Sequence, residues 1–218
     1  MNNAAIVYVH GMWMPGEEMI FLKRHLQSQH GFEGHLFRYP SVRGSLDENT
    51  ELLADFVANV DAREVHLVGH SLGGVLALRM LSLNADSKPG RVVCLGSPLS
   101  GSRAAEVLHR TDWGSVILGK TIADGVVRKA ANEWAGGVIK NREVGSIAGT
   151  TPVGIGRLVA NFKEANDGTV AVAETELPGL KDHISLPNSH STLVLSREVA
   201  DHVAAFLKRG EFLRSSQT

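Results

Sequence analysis

Cysteine is almost absent: Cys94 stands alone among 218 residues. An intrachain disulfide is therefore impossible, and so is a zinc site built from cysteines. An excess of one charge is missing too. Lys+Arg number 22 against 23 Asp+Glu, a net charge of -1, and no long basic run breaks the balance. Binding to a nucleic-acid backbone thus has no electrostatic footprint. No apolar stretch reaches the roughly 18 residues of a membrane span. The N-terminal run Ala4-Ala5-Ile6-Val7-Tyr8-Val9 lacks a basic segment before it, and His10-Gly11 interrupts it too early for a signal peptide. The expectation is a cytoplasmic protein with no nucleic-acid partner and no integral membrane segment.

What is present is an ordinary globular composition, 43% hydrophobic and 21% charged. A chain of this length can bury a core without disulfides or structural metal. No repeat, low-complexity segment or linker divides it. At about 150 residues per domain, one domain over 1–218 carrying an insertion is expected.

Apolar, β-branched runs predict strands at 4–9, 34–39, 64–69 and 91–96, with further ones near 143–149 and 183–187. Between them lie helical patterns. Residues 16–30 place Met19, Leu22 and Leu26 on one face. Residues 47–60 do the same with Leu52, Leu53, Phe56, Val57 and Val60, behind the cap candidate Ser45. Ser71 to Leu83 and about 192–209 complete the set. Strands alternating with helices predict an α/β fold: a mostly parallel sheet of about six strands with helices on both faces. The stretch 101–141 departs from that plan. Its pattern at Leu118, Ile122, Val126 and Ala130, ending near Trp134, predicts a helical excursion that could serve as a lid.

The strongest chemical signal is Gly69-His70-Ser71-Leu72-Gly73-Gly74. It fits G-x-S-x-G and falls between a predicted strand and a predicted helix, the context that pattern requires. A serine at the apex of so tight a turn is strained, with its hydroxyl pushed up from the sheet edge. Side chains at Gly69 and Gly73 would crowd the turn. The helix that follows aims free N–H groups at charge developing nearby.

Together with His10-Gly11 after the first strand, this segment resembles the α/β-hydrolase superfamily, and specifically its lipase-like serine esterases. The resemblance spans roughly residues 4 to 212 and is weakest over 101–141. It implies a compact α/β-hydrolase fold and a nucleophile, acid and base in the chain order Ser, Asp or Glu, His.

On that resemblance the base follows the last strand. His190, in Ser189-His190-Ser191-Thr192-Leu193, occupies that place, with His183 as its rival. The acid is expected on Asn166-Asp167-Gly168-Thr169-Val170, where a buried carboxylate at Asp167 would fix the imidazole tautomer. Asp-Gly is also a turn dipeptide with no chemistry attached, and Asp182 and Glu174 are the alternatives. The loop from Gly149 to Asn166 is longer than the family pattern.

The resemblance assigns the oxyanion donors to the N–H groups of Leu72 and Met12. Met12, Trp13 and Met14 form an adaptable apolar cluster suited to an acyl chain, or else plain core. Gly96-Ser97-Pro98 reads as a structural turn and Cys94 as core. The implied activity is hydrolysis of small-molecule carboxylic esters, with no metal and no organic cofactor. A thioesterase, an amidase, an acyltransferase or a non-catalytic ligand-binding relative would share the same pattern.

Overall fold

The computed structural model describes residues 4–102, 130–153 and 164–214. Among them six strands form one sheet: β1 (Ala4–Val9), β2 (Glu33–Phe37), β3 (Glu64–His70), β4 (Val92–Leu95), β5 (Val144–Gly149) and β6 (Asp182–Leu186). Their order is β2-β1-β3-β4-β5-β6, and every pairing is parallel.

Five α-helices are described: α1 (Ile20–His30), α2 (Leu46–Ala58), α3 (Leu72–Leu83), α4 (Ala130–Asn141) and α5 (Arg197–Arg209). Parallel strands need crossovers, and right-handed crossovers that reverse direction along the sheet put helices on opposite faces. Here α1 and α5 pack on one face, and α2, α3 and α4 on the other.

The central strands are mostly apolar because both faces are covered, with His66, His70 and Ser146 as buried polar exceptions. Along β4, Val92 and Cys94 enter one core, while Val93 and Leu95 enter the other. In β1, Ala5, Val7 and Val9 face the α2/α3 side, and Ile6 and Tyr8 face α1 and α5. Helix α3 is apolar nearly all round and is buried accordingly. Burying each Leu or Val contributes about 1.5–3 kcal/mol before the entropy of ordering is subtracted.

Local chemistry sets the helix ends. Ser45 caps α2 through the Glu48 N–H, and Glu48 returns the bond to the Ser45 N–H. Gly31, at φ 75°, ends α1 in the left-handed conformation.

Two boundaries differ from the sequence expectation. The last helix starts at Arg197 rather than near 192. Residues Thr192–Val194 form a separate 3-10 turn, tied through the Thr192 hydroxyl to Ser189, and Ser196 caps the new helix through the Val199 N–H. Helix α4 runs past Trp134 to Asn141. Ala135 and Val138 bury against the core, which holds the exposed pair Gly136-Gly137 in helical conformation despite their low propensity. The excursion pattern at Leu118, Ile122 and Val126 lies outside the described residues.

Candidate active site

All strands point the same way, so the loops after them gather at one edge. The sheet order reverses direction between β1 and β3, and the crevice there is the usual ligand position of such folds. Ser71 follows β3 and the His10-Gly11 loop follows β1, so both border that crevice.

Ser71 sits at φ 53°, ψ -123°. Only it and Trp13, at φ 59°, have positive φ among the described non-glycine residues, and both border this crevice. Strain of this kind costs on the order of 1–3 kcal/mol and persists only where the surroundings enforce it. The enforcing contacts are visible. The Ser71 N–H donates to the Leu95 carbonyl at 2.9 Å, and the Gly74 N–H donates to the Ser71 carbonyl at 3.1 Å. A Cβ at Gly69 would run into the Gly73–Gly74 backbone, and one at Gly73 into the Val9 carbonyl oxygen. The turn therefore closes only with glycine at both positions.

Asp167 and His190 meet on the neighbouring loops. The His190 Nδ1–H donates to Asp167 Oδ2 at 2.7 Å, and the His190 backbone N–H donates to the Asp167 carbonyl at 2.9 Å. The Asp167 carboxylate is wholly buried. Its Oδ1 accepts the N–H groups of Thr169 (2.9 Å) and Val170 (2.7 Å), which satisfy the charge that burial would otherwise penalise. Gly168, at φ 94°, makes the turn possible, and Asn166 Oδ1 takes the Gly168 N–H. With its proton held on Nδ1, the His190 imidazole keeps a bare Nε2. This pair packs on Gly96, the residue after Leu95, whose carbonyl binds the Ser71 N–H.

The alternative residues are occupied elsewhere. His183 Nε2 pairs with the Thr175 hydroxyl at 2.9 Å. Asp182 accepts the Phe212 N–H and the Arg214 guanidinium, and Glu174 accepts the Ala171 N–H.

The Met12 and Leu72 N–H groups have no hydrogen-bond partner among the described residues. The orientation of the first is fixed from behind. His10 Nδ1–H donates to the Gly11 carbonyl at 2.7 Å, and in a trans peptide the Met12 N–H then points the opposite way. His10 is itself locked. Its Nε2 accepts the Tyr39 N–H at 3.3 Å, its ring stacks on Tyr39 at 4.3 Å, and the Tyr39 hydroxyl donates to the His10 carbonyl. Burial holds the His10 pKa below the usual histidine value. The Met12 side chain packs against the core, Met14 is half-buried, and Trp13 is 52% exposed.

His70 has a closer tie to this site than the sequence suggested. The motif there gives its side chain no role, yet it is buried, and its Nε2–H donates to the His190 carbonyl at 3.0 Å, with ring centroids 4.8 Å apart. Burial, and secondarily the neighbouring His190, lower its pKa to about 3. Ser97 lies buried beneath Gly74, and Cys94 is buried, its thiol pushed up to about 12 by desolvation. The Tyr39 clamp on His10 leaves no local trace in sequence, whereas Gly96 lies in the Gly96-Ser97-Pro98 turn that the sequence singled out as structural.

A family model described as "Alpha/beta hydrolase family" matches residues 6–207, and the chain belongs to that family. Among solved structures it is similar to a Bacillus licheniformis lipase, BlEst2, in its mature form. Identity is 19% over 95% of this chain and 92% of that one, with a TM-score of 0.74. A metagenomic carboxyl esterase matches at 18% identity over 87% of this chain and 64% of the other, TM-score 0.71. A carboxylesterase structure from the thaumarchaeon Nitrososphaera gargenis matches at 14% identity over 95% and 90%, TM-score 0.60. No curated protein matches. Likeness at these identities establishes the fold. No helix among the described residues is long and apolar enough to cross a membrane.

Proposed function

We propose that this protein is a serine hydrolase of carboxylic esters, an esterase or small lipase acting on small-molecule acyl substrates. The observation that carries the reading is the 2.7 Å bond from His190 to the wholly buried Asp167, on the loops beside the strained Ser71 turn. Structural likeness to a lipase and to carboxylesterases supports it.

In this reading Ser71 Oγ attacks the ester carbonyl carbon and its proton passes to His190 Nε2. Asp167 holds the imidazole in the required tautomer and stabilises the imidazolium. The Met12 and Leu72 N–H groups bind the oxyanion, each contributing on the order of 3–4 kcal/mol to the transition state. Collapse of the tetrahedral intermediate expels the alkoxide, which takes the proton from His190. A water, deprotonated by His190, then cleaves the acyl-enzyme to carboxylate and free Ser71. Trp13 and Met14, on the loop after β1, border the acyl group. The chemistry requires neither metal nor organic cofactor.

The test is hydrolysis of p-nitrophenyl esters from acetate to palmitate by the parent protein and by Ser71→Ala. Activity that disappears with Ser71→Ala supports the reading, and the chain-length optimum sizes the acyl site. If parent and variant are equally inert, ester hydrolysis fails. A thioesterase, amidase or acyltransferase with the same residues, or a ligand-binding role, then takes its place.

A further inference from the structure

Far from Ser71 in sequence, three potential metal ligands converge where α1 meets α5. His25 Nε2 lies 3.0 Å from Asp201 Oδ1, and His30 Nε2 lies 2.9 Å from the same oxygen. All three ligand atoms fall within 4.8 Å of one another. We propose that His25, His30 and Asp201 form a binding site for one divalent transition-metal ion, Zn²⁺ in the first instance, which staples α1 to α5.

The distances suit the ion. Bonds of about 2.0–2.1 Å in a tetrahedral site place neighbouring ligand atoms about 3.3 Å apart. Spacings of 2.9 and 3.0 Å therefore need to open by only a few tenths of an ångström, and the third, between the two imidazoles, starts within 4.8 Å and closes by rotation of the side chains. Helix geometry supplies the rest. His25 sits within α1 and His30 is its last residue, fixed by the Gly31 cap, while Asp201 lies in the second turn of α5.

The protonation change also costs little. Without metal, both imidazoles present Nε2–H to one carboxylate oxygen. Metal binding moves each proton to Nδ1, and no protein hydrogen bond engages either Nδ1 among the described residues. Each ring thus gives up its hydrogen bond to Asp201 for a bond to the ion, and breaks no other protein hydrogen bond among the described residues.

Two imidazoles and one carboxylate are a borderline donor set. They favour Zn²⁺, Ni²⁺ or Co²⁺ over Mg²⁺ and Ca²⁺, which take mainly oxygen ligands. The fourth position falls to water. Access is open on the His25 side, which lines a concavity of about 620 Å³. That concavity does not include Ser71, Asp167 or His190, so the ion is structural and separate from the proposed hydrolysis.

The experiment uses the full-length, untagged protein stripped with a chelator. ZnCl₂ is titrated calorimetrically and thermal unfolding is followed with Zn²⁺, Mg²⁺ or neither. The expected result is one Zn²⁺ per chain and a raised Tm, with no shift from Mg²⁺. Asp201→Asn and His25→Gln should each weaken binding at least tenfold and abolish the Tm shift. His190→Ala, at the other site, should leave both unchanged. Absence of Zn²⁺ binding by the parent overturns the proposal without reference to any variant. So does binding that survives the double variant His25→Gln/Asp201→Asn, or binding lost with His190→Ala alone.

Discussion

Gly96 and Asp167 are in contact to the exclusion of any side chain at residue 96. A methyl group there would lie 3.0 Å from Asp167 Oδ2 and 3.2 Å from His190 Nδ1, with Leu193 Cδ1 closer still at 2.8 Å. The backbone at Gly96 also has φ 54°, which L-residues resist. Gly96→Ala is therefore expected to destabilise the fold by about 1–3 kcal/mol. It should also lower ester hydrolysis more than a neutral destabilisation would, because the methyl separates the two groups. Urea unfolding alongside kcat at a temperature where the variant is folded separates the effects. Parent-like kcat would contradict the contact's importance.

Asp167→Asn should leave the fold intact and reduce kcat on the order of 10⁴-fold by freeing the imidazole to take the wrong tautomer. The matched controls are His183→Gln and Asp182→Asn. Both parent residues are engaged away from Ser71, so both variants should retain parental turnover. Turnover lost with His183→Gln and kept in His190→Gln would reassign the base.

The hydrogen bond from His10 to the Gly11 carbonyl aims the Met12 N–H. His10→Ala releases that peptide, and a drop in kcat of about 10²–10³, with KM much less affected, is expected from loss of one preorganised donor. A change confined to KM would mean that the loop binds substrate rather than the oxyanion.

His70 makes a prediction about pH. Its folded pKa, about 3, lies below the ordinary histidine value of 6.5, so between those values the unfolded chain binds the proton and the folded one does not. Its stabilising contribution is complete above about pH 6.5 and is lost as pH falls toward 3, at up to about 1.4 kcal/mol per pH unit. His70→Gln retains an N–H donor for the His190 carbonyl and cannot titrate. Its stability should fall less steeply than that of the parent between pH 6.5 and 4, as read from urea midpoints. Parallel curves would show that His70 is not held neutral.

Gly136 and Gly137 offer the opposite sign. Both are exposed in α4, and a Cβ at either would meet nothing within 4 Å. Gly136→Ala and Gly137→Ala should each raise stability by roughly 0.5–1 kcal/mol, measured as a higher urea midpoint at unchanged slope.

Much of the architecture was legible because a parallel sheet covered on both faces writes itself as short apolar runs, as Val92-Val93-Cys94-Leu95 shows. The Gly69–Gly74 segment was legible for a steric reason: two backbone collisions leave glycine as the only choice. What escaped depends on contacts between distant segments. Leu193 and Val194 continue the apolar spacing of α5 upstream, so the pattern alone extends the helix to about 192, while the Ser196 cap sets the boundary at Arg197. Helix α4 outran its glycines because Val138 packs beyond them. The tie from His70 to His190 spans 120 residues, and no local pattern encodes it.

The two bonds between Asp167 and His190, one through backbone and one through side chain, close a small ring across the loops on either side of β6. Within that ring the acid and the imidazole travel as one piece. The bond from His70 to the His190 carbonyl ties that piece to the Ser71 turn, so the gap between them opens only as this one bond stretches, while the spacing inside the ring holds. If Ser71 turns over substrate as proposed, warming short of unfolding should lower that turnover by displacing an intact Asp167–His190 pair, a loss that reverses on cooling because no bond within the pair has been broken.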